Sequence, residues 1–456
     1  MITRPRDDLS QKFSTALPIS VFLRYGSGMS QENIDLTSGG LRVAVIGGGI
    51  SGIVASHLIS RRNHVTLFEK EPKLGGHTHT ARVNRNGGQV PVDMGFIVFN
   101  EPNYPTFNSF LADLGVERAE SDMSFAFHDP ATGFMYAGTG IRGMLARKRN
   151  LVSPVFWRML SGIRRFCTEA RKDLEEGRLQ GVTIGDYLEA HGYSREFEDN
   201  YLLPMAGSIW SAPDGEAHDF PAEALVRFFD NHMLLDYMER PPWYFVKGGS
   251  DTYVRAFTKE FTGEVRTGTP VWSVRRNHDG VHIATNHGSE EFDAVVLATH
   301  ASDSLRLLSD PDEKEQRLLG PWRYAANRVV LHTDEEFLPP RVAGRASWNF
   351  IRDPGRPADA PVGVSYHMNR LQGIESHEEY VVTLNPVREP ISGTVIEDVL
   401  FEHPQYSLAS MATQKELPEL DGSNRTFFCG AYQGYGFHED GARSGARVAA
   451  HFGEAL

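Results

Sequence analysis

The chain has only two cysteines, Cys167 and Cys429, in 456 residues. They lie far apart and form no C-x-x-C pair, so neither a disulfide framework nor a zinc site follows, and a reducing cytoplasm is the expected setting. Positive charge is also short: 46 Lys and Arg against 59 Asp and Glu leave a formal net charge of −13, which argues against a nucleic-acid binder. No long apolar run marks a membrane anchor, and residues 1–40 carry Asp7 and Asp8 where a secretory signal would carry cations. That stretch reads as a flexible leader. No internal repeat stands out. The histidines are scattered without ligand spacing, and the HTH at 77–79 is too short, so no metal is expected. The length exceeds one ordinary core, which predicts two domains.

What the chain does carry begins at residue 42. In RVAVIGGGISGIVASHLISRRNHVTLFE (42–69), Val43 to Ile46 is a short apolar run suited to a strand buried on both faces. Ser51 to Arg62 has Ile53, Leu58 and Ile59 at mixed helical spacing, and Val65 to Phe68 reads as a second strand. Gly47, Gly49 and Gly52 have G-x-G-x-x-G spacing: the first permits a tight turn, the second lets backbone approach a pyrophosphate, and the third lets helix pack on strand. The helix start, at Ile50 and Ser51, supplies N–H groups and a positive dipole end. Glu69 closes the second strand, where a carboxylate accepts hydrogen bonds from both ribose hydroxyls and repels a 2′-phosphate, so NADP is disfavoured. The glycine spacing alone is weak evidence; strand, helix, strand and acid in this order define a dinucleotide site.

At the other end, TFFCGAYQGYGFHEDGARSGARVAA (426–450) reads as a strand, a glycine-rich turn and a helix, with Ala442, Gly445, Ala446 and Ala449 as the small residues that close helix packing needs. Between the two ends, EKEPKLGGHTHTARV places Gly75 and Gly76 shortly after the acid, and VDMGFIVFN places Gly95 where backbone must run close to something flat.

Five blocks together resemble the flavin-containing amine oxidase superfamily, which also includes carotenoid-type desaturases and protoporphyrinogen oxidases. They are GGGISG, the LGGHTHT turn, WYFVKGGSDTYVRAF at 243–257, the stretch from Pro270 to Thr299 ending in FDAVVLATH, and the C-terminal block. The resemblance implies an α/β fold: a Rossmann-type FAD-binding domain with a discontinuous α+β substrate domain, amine oxidase-like. It implies FAD, with Gly47, Gly49 and Gly52 at the pyrophosphate, Glu69 at the ribose, and Ile50, Ser51 and Lys70 also among the cofactor-binding residues. Gly75, Gly76, His77, Met94, Gly95 and Phe96 join the cofactor-binding set, with Val271 at the adenine and Gly430 near the pyrophosphate. Asp440 is assigned to the ribityl region, while Gly441 and Ala442 begin a helix aimed at the pyrimidine side of the ring, where a helix N-terminus stabilises the negative charge of hydride acceptance. Cys429 precedes Gly430 rather than standing where it would reach the ring, so the flavin is expected to be noncovalent.

Three departures matter. His77 stands where many relatives have an arginine. The region ATHASDSLRLL offers Leu305 or Arg306 but no lysine to reach a water at the flavin N5. His438 takes the place of a tyrosine that would cage a neutral amine. Oxidative deamination is therefore less favoured than family membership suggests. A closer resemblance is to a bacterial subgroup of FAD-binding proteins found with cyclopropane fatty acid synthases, carried by PMAGSIWSAP (204–213), VSYHMNRLQGI (364–374), FEHPQYS (401–407) and FCGAYQGYGFHEDGARSG (428–445). It implies a lipophilic small-molecule substrate, an unsaturated or cyclopropanated fatty acyl chain.

From Arg142 to Thr168 there are seven basic residues, no acidic one, and interleaved Val155, Phe156, Trp157, Met159, Leu160, Ile163 and Phe166. Such a stretch suits a peripheral membrane or acyl-carrier contact. It equally suits a solvated basic helix packed by its aromatic side, and Pro154 and Gly162 are expected to interrupt its periodicity.

The flavin blocks place the cofactor domain at 41–105, 240–302 and 420–456, and the substrate domain at 106–239 and 303–419. Within the latter, RFCTEARKDLEEG and TIGDYLEAHG read as helices, the second capped by Thr183 and stopped by Gly192, while ANRVVLHTD, PVGVSYHMN and EYVVTLNP read as strands flooring a pocket. Trp210, Tyr366, His367 and Asn369 are substrate-side candidates. His438, Glu439 and Tyr435 are the catalytic candidates, since a histidine or glutamate tuned toward neutrality by partial burial can move a proton beside hydride transfer. The reading is an FAD-dependent oxidoreductase acting on a lipophilic substrate; a flavin-dependent double-bond isomerase, an amine oxidase and a noncatalytic flavin-bound partner stay open.

Overall fold

The computed structural model describes residues 35–85, 88–210, 217–232, 234–235, 241–353, 355 and 362–456. The leader up to residue 34, residues 211–213 of the PMAGSIWSAP motif and the side chain of Trp210 lie outside the described residues.

Five parallel strands form the first sheet in the spatial order Glu264–Arg266, His64–Phe68, Arg42–Ile46, Ala294–Leu297 and Thr426–Phe428. The continuous apolar run is explained by cover on both faces. Val43, Val45, Val296 and Phe427 pack towards the helices Ile50–Ile59 and His438–His451, whereas Ala44, Ile46, Val295 and Phe428 pack into a second core. Between Glu264–Arg266 and Ala294–Leu297 the chain makes a three-stranded antiparallel excursion. It is tied to the helix Glu313–Leu319 by a buried pair in which Arg276 Nη2 donates to Glu315 Oε2 at 2.9 Å.

The second sheet has seven strands in the order Val395–Gln405, Arg323–His332, Val381–Leu384, Val364–His367, Trp348–Ile351, Phe125–Asp129 and Phe134–Ala137. Register sets two rows of side chains on one face. Leu331, Val382, Tyr366, Trp348 and Phe125 are successive cross-strand partners, and so are Val399, Val329, Leu384 and Val364, with Phe350, Phe127 and Tyr136 continuing that row. Ala81, Val92, Met94 and Ile97 cover part of this face. The strands expected in ANRVVLHTD, PVGVSYHMN and EYVVTLNP are all present, and so is the helix Ile184–His191, with the Thr183 side chain capping Asp186 N–H and Gly192 stopping it at φ 61°.

The basic stretch departs from expectation. Pro154 and Gly162 do not interrupt it: the helix Pro154–Glu175 runs unbroken, with Ser153 as N-cap and Pro154 at its start, where no intrahelical N–H is needed. Gly162 is required by packing, because a Cβ there would lie 2.4 Å from the Phe197 Cβ. No helix among the described residues is long and apolar enough to cross a membrane. Both sheets belong to one compact unit, Leu36–Leu456.

Candidate active site

Gly47, at φ +109°, turns the chain out of its strand, and a Cβ there would lie 2.5 Å from the Ala298 carbonyl oxygen. Gly52 is as tightly placed, since a Cβ would come within 1.9 Å of the Gly47 carbonyl oxygen. Gly49 differs. A Cβ on it would meet nothing within 4 Å, and as N-cap of Ile50–Ile59 it offers no side chain to that helix's first N–H groups. Open space beside uncapped helix donors fits a diphosphate. Ile50 and Ser51 are buried under this turn.

Glu69 is fixed beside the same loop: its Oε2 accepts the Gly48 N–H at 2.6 Å and its Oε1 the Glu71 N–H at 2.9 Å. Its backbone carbonyl accepts the Thr269 N–H at 2.9 Å, which brings Val271, at the start of its strand, to the same edge. Lys70 follows with an exposed side chain. The paired glycines close over the loop, with Gly75 N–H donating to Gly48 O at 2.8 Å and Gly76 backed against Gly49. His77 and His79 pair in turn with the DMGF segment: Met94 N–H donates to His79 O and Phe96 N–H to His77 O, at 2.8 and 2.9 Å, and a Cβ on Gly95 would lie 2.0 Å from His77 O. Asp93 ties this segment to the GGS turn by accepting the Ser250 N–H and hydroxyl, both at 2.8 Å, and burial raises its carboxyl to about 6.

The C-terminal helix begins at His438, three residues earlier than expected. The cause is Asp440, whose carboxylate folds back to accept the N–H groups of Tyr435 and Phe437, at 2.9 and 3.0 Å, and pairs with Arg443 at 2.6 Å. Asp440 thus serves its own turn. Gly441 and Ala442 lie inside the helix rather than opening it; Gly441 backs against Ile50 and Gly445 against Ser51, where a Cβ would meet Ile50 Cγ2 at 2.7 Å and Ser51 O at 2.4 Å. Gly430 donates its N–H to Ser444 Oγ at 2.9 Å. Cys429 is fully buried, and burial pushes its thiol up to about 12, so it packs rather than reacts.

His438 stacks on Phe96, centroids 3.7 Å apart and planes within 8°, and lies edge-on to Phe107. Its Nε2 is 3.0 Å from the Tyr253 hydroxyl, itself 2.6 Å from Thr78 Oγ1. Burial drives His438 well below its ordinary pKa, away from neutrality rather than toward it, which corrects the expected tuning: the ring is a fixed, neutral imidazole. Glu439 is committed as well, its two oxygens accepting the Thr106 and Phe107 N–H groups at 3.0 and 2.9 Å. Tyr435 is half-buried, its hydroxyl pKa raised by burial.

Sequence reasoning missed a cluster. His77 stacks on Phe401 at 5.0 Å with His403 at 5.2 Å, and His300, at the end of its strand, stacks on Tyr324 at 4.1 Å. Burial lowers His77 to about 3 and His403 to about 4, and lowers His300 as well, so all three are neutral. The buried His77 Nε2 has no hydrogen-bond partner among the described residues, an orphan that a bound cofactor could satisfy. His403 lies in the FEHPQYS motif, which was the one available signal. Among the described residues no group of three or more ligating side chains could hold a metal ion. Tyr366 is edge-on to Trp348 at 5.0 Å, whereas His367, on the opposite face, pairs with Glu379 at 2.7 Å, and Asn369 holds backbone at Glu378 and Tyr380.

Parallel sheet, glycine cradle and paired helix starts define a dinucleotide-binding oxidoreductase. The chain belongs to the flavin-containing amine oxidoreductase family, whose model matches residues 50–366; it is an FAD flavoprotein with the amine oxidase-like α/β fold. It is 24% identical over 287 residues to the pseudooxynicotine dehydrogenase of a Pseudomonas species, covering 59% of this chain and 53% of that protein. It is 25% identical over 332 residues to a flavin-dependent L-tryptophan oxidase of Lentzea aerocolonigenes, covering 66% and 67%. The chain thus spans about half to two thirds of the length of the curated relatives it matches. Among solved structures it is similar in fold to a putrescine oxidase variant, with a TM-score of 0.67 at 17% identity over 90% of this chain and 99% of that one. It is likewise similar to a CLA-producing fatty acid isomerase from P. acnes, with a TM-score of 0.63 at 16% identity over 92% and 98%.

Proposed function

We propose that this flavoenzyme moves a hydride between FAD and an activated carbon, such as an allylic position, of a lipophilic substrate, with an unsaturated or cyclopropanated fatty acyl chain as the substrate class. The observation that carries the proposal is the largely apolar floor of the second sheet. Its two registered rows carry only the phenols of Tyr366 and Tyr136 and, at the sheet edge opposite Leu331, Glu397, which is held by His79; Phe125, Trp348, Tyr366 and the neighbouring Phe401 stay half-uncovered. An acyl chain gains from covering such a surface; a protonated amine does not.

Bound FAD supplies the hydride chemistry. The protein's part is orientation and electrostatics. The helix starts at Ile50 and His438 lie together, bringing two positive dipole ends to the cofactor. The neutral imidazoles of His77, His300 and His403 line the junction without a charge to desolvate. Asp93, Glu439 and Asp440, which would otherwise pair a cationic amine, are taken up in hydrogen bonds within the protein.

A second reading, an isomerase in which the hydride returns to another carbon, is favoured by the segment ATHASDSLRLL, which has Leu305 and Arg306 but no lysine to reach a water at the flavin N5. Anaerobic mixing of the purified yellow protein with free fatty acids, extracted lipids and amines tests both. Bleaching of the flavin by a lipid supports the proposal, product formed without consumption of an acceptor selects the isomerase, and bleaching by amines alone, with peroxide released in air, overturns it.

A further inference from the structure

The loop from Gly140 to Trp157 is built inside out. Its polar Asn150 is fully buried, donating through Nδ2 to the carbonyls of Met135 and Met144 at 2.9 and 3.0 Å. Ala146 and Phe156 are buried too, but four apolar residues face outward: Ile141 is 80% exposed, Leu151 55%, Val152 81% and Trp157 53%. The display is held in place rather than floppy. Trp157 Nε1 donates to Leu151 O at 2.9 Å, and Arg341 reaches across to the Ala146 carbonyl at 3.0 Å, setting the 75% exposed Val342 beside the same surface. Single exposed apolar residues are ordinary, but this cluster of exposed aliphatics and a tryptophan around a buried asparagine marks an interaction surface.

Charge points the same way. Arg142, Lys148 and Arg149 are exposed among these apolar groups, and no carboxylate of the described residues pairs with them. No acidic residue occurs from Pro130 to Thr168, in a chain whose net charge is −13. Aliphatic tips and a tryptophan rimmed by unpaired cations match the boundary of an anionic bilayer, where apolar side chains enter the acyl region and cations meet headgroup phosphates. We propose that this surface docks the protein peripherally on an anionic lipid bilayer. The inner side of the helix Pro154–Glu175, through Leu160 and Ile163, packs into the same cluster as Tyr366 and Phe125 of the apolar floor, so the docked face and the proposed substrate floor share one element. Docking itself does not depend on the substrate reading.

Co-sedimentation with vesicles tests it, using phosphatidylcholine alone and phosphatidylcholine with roughly a third phosphatidylglycerol. The holoprotein should pellet with the anionic vesicles only, and high salt should weaken this. Lys148→Glu with Arg149→Glu should reduce the bound fraction by about tenfold or more. Ile141→Ser with Val152→Ser should weaken binding even at low salt, and a Trp157→Phe difference spectrum should lose the blue shift seen on vesicles. Yellow colour and thermal midpoint of each variant report that the flavin fold is intact. The proposal is overturned if the wild type does not pellet, if the charge-reversed protein pellets equally, or if an acidic carrier protein is bound while anionic vesicles are not.

Discussion

Glu439 and Phe107 are joined across 332 positions of sequence: the Glu439 Oε2 accepts the Phe107 N–H at 2.9 Å, while its other oxygen takes Thr106. Together these bonds cap the helix Pro105–Asp113, whose own N-cap residue, Tyr104, offers no side-chain bond. Glu439→Ala should therefore lower stability by ~1–2 kcal/mol, seen as an earlier denaturant midpoint. If the variant keeps its stability but its flavin is reduced slowly, Glu439 belongs to proton transfer after all.

Two glycines three residues apart, Gly49 and Gly52, should answer differently to a side chain. Gly49→Val adds atoms where the protein leaves open space, so it should fold normally yet purify colourless. Gly52→Ala drives a Cβ into the Gly47 carbonyl and should cost about 1–3 kcal/mol in a thermal melt. Glu69→Ala should fold and lose FAD on dilution, read by absorbance after gel filtration.

His438→Phe preserves the ring on Phe96 but removes the bond to Tyr253. It should stay yellow and be reduced more slowly. Because burial holds His438 neutral, its replacement should leave the pH–rate profile unchanged through neutrality. An unchanged reduction rate would make His438 a packing residue only.

Acid should destabilise the fold through its imidazoles. His77, near about 3, and His232, His332 and His403, at about 4, stay neutral because burial disfavours their charged forms. The unfolded chain protonates them near 6.5, so between that value and the folded ones the unfolded state binds more protons and stability falls as pH falls. Each contributes roughly 1.4 kcal/mol per pH unit across this window. Asp93, raised to about 6, acts in the opposite sense, as do Asp199, Asp421, Glu439 and Asp440, while His128, His300, His367 and His438, also lowered by burial, add to the histidine side. Thermal midpoints should drop from about pH 7 to about pH 5, with a shallower slope in His332→Gln; a flat profile would refute the account.

Arg276 and Glu315 form a pair almost without solvent, each side chain 2% exposed. Glu315→Ala leaves the buried guanidinium with Asp310 as its one remaining partner and should cost about 3 kcal/mol by denaturant titration, whereas Arg276→Met with Glu315→Leu should recover much of it.

The nucleotide half of the fold was legible because its constraints are local. Gly47 needs its positive φ and Gly52 its missing Cβ whatever follows, and Thr183 and Gly192 mark a helix by their own chemistry. Gly162 misled for the converse reason: its purpose is the distant Phe197, which no periodicity within the helix reveals. The same limit hid the imidazole cluster, since His77 and His300 follow strands of the first sheet and meet His403 only when the second sheet packs beside it. Asp440 and Glu439 were visible as acids, but their partners at Phe437 and Phe107 depend on turn geometry and on a helix far away in sequence.

The last strand, Thr426–Phe428, is an edge of the parallel sheet, and Gly441 and Gly445 of the final helix seat directly on the first. The nucleotide cleft is therefore completed only when residues 426–456 have folded onto the sheet and its first helix, so docking of this block and retention of the cofactor should be lost together.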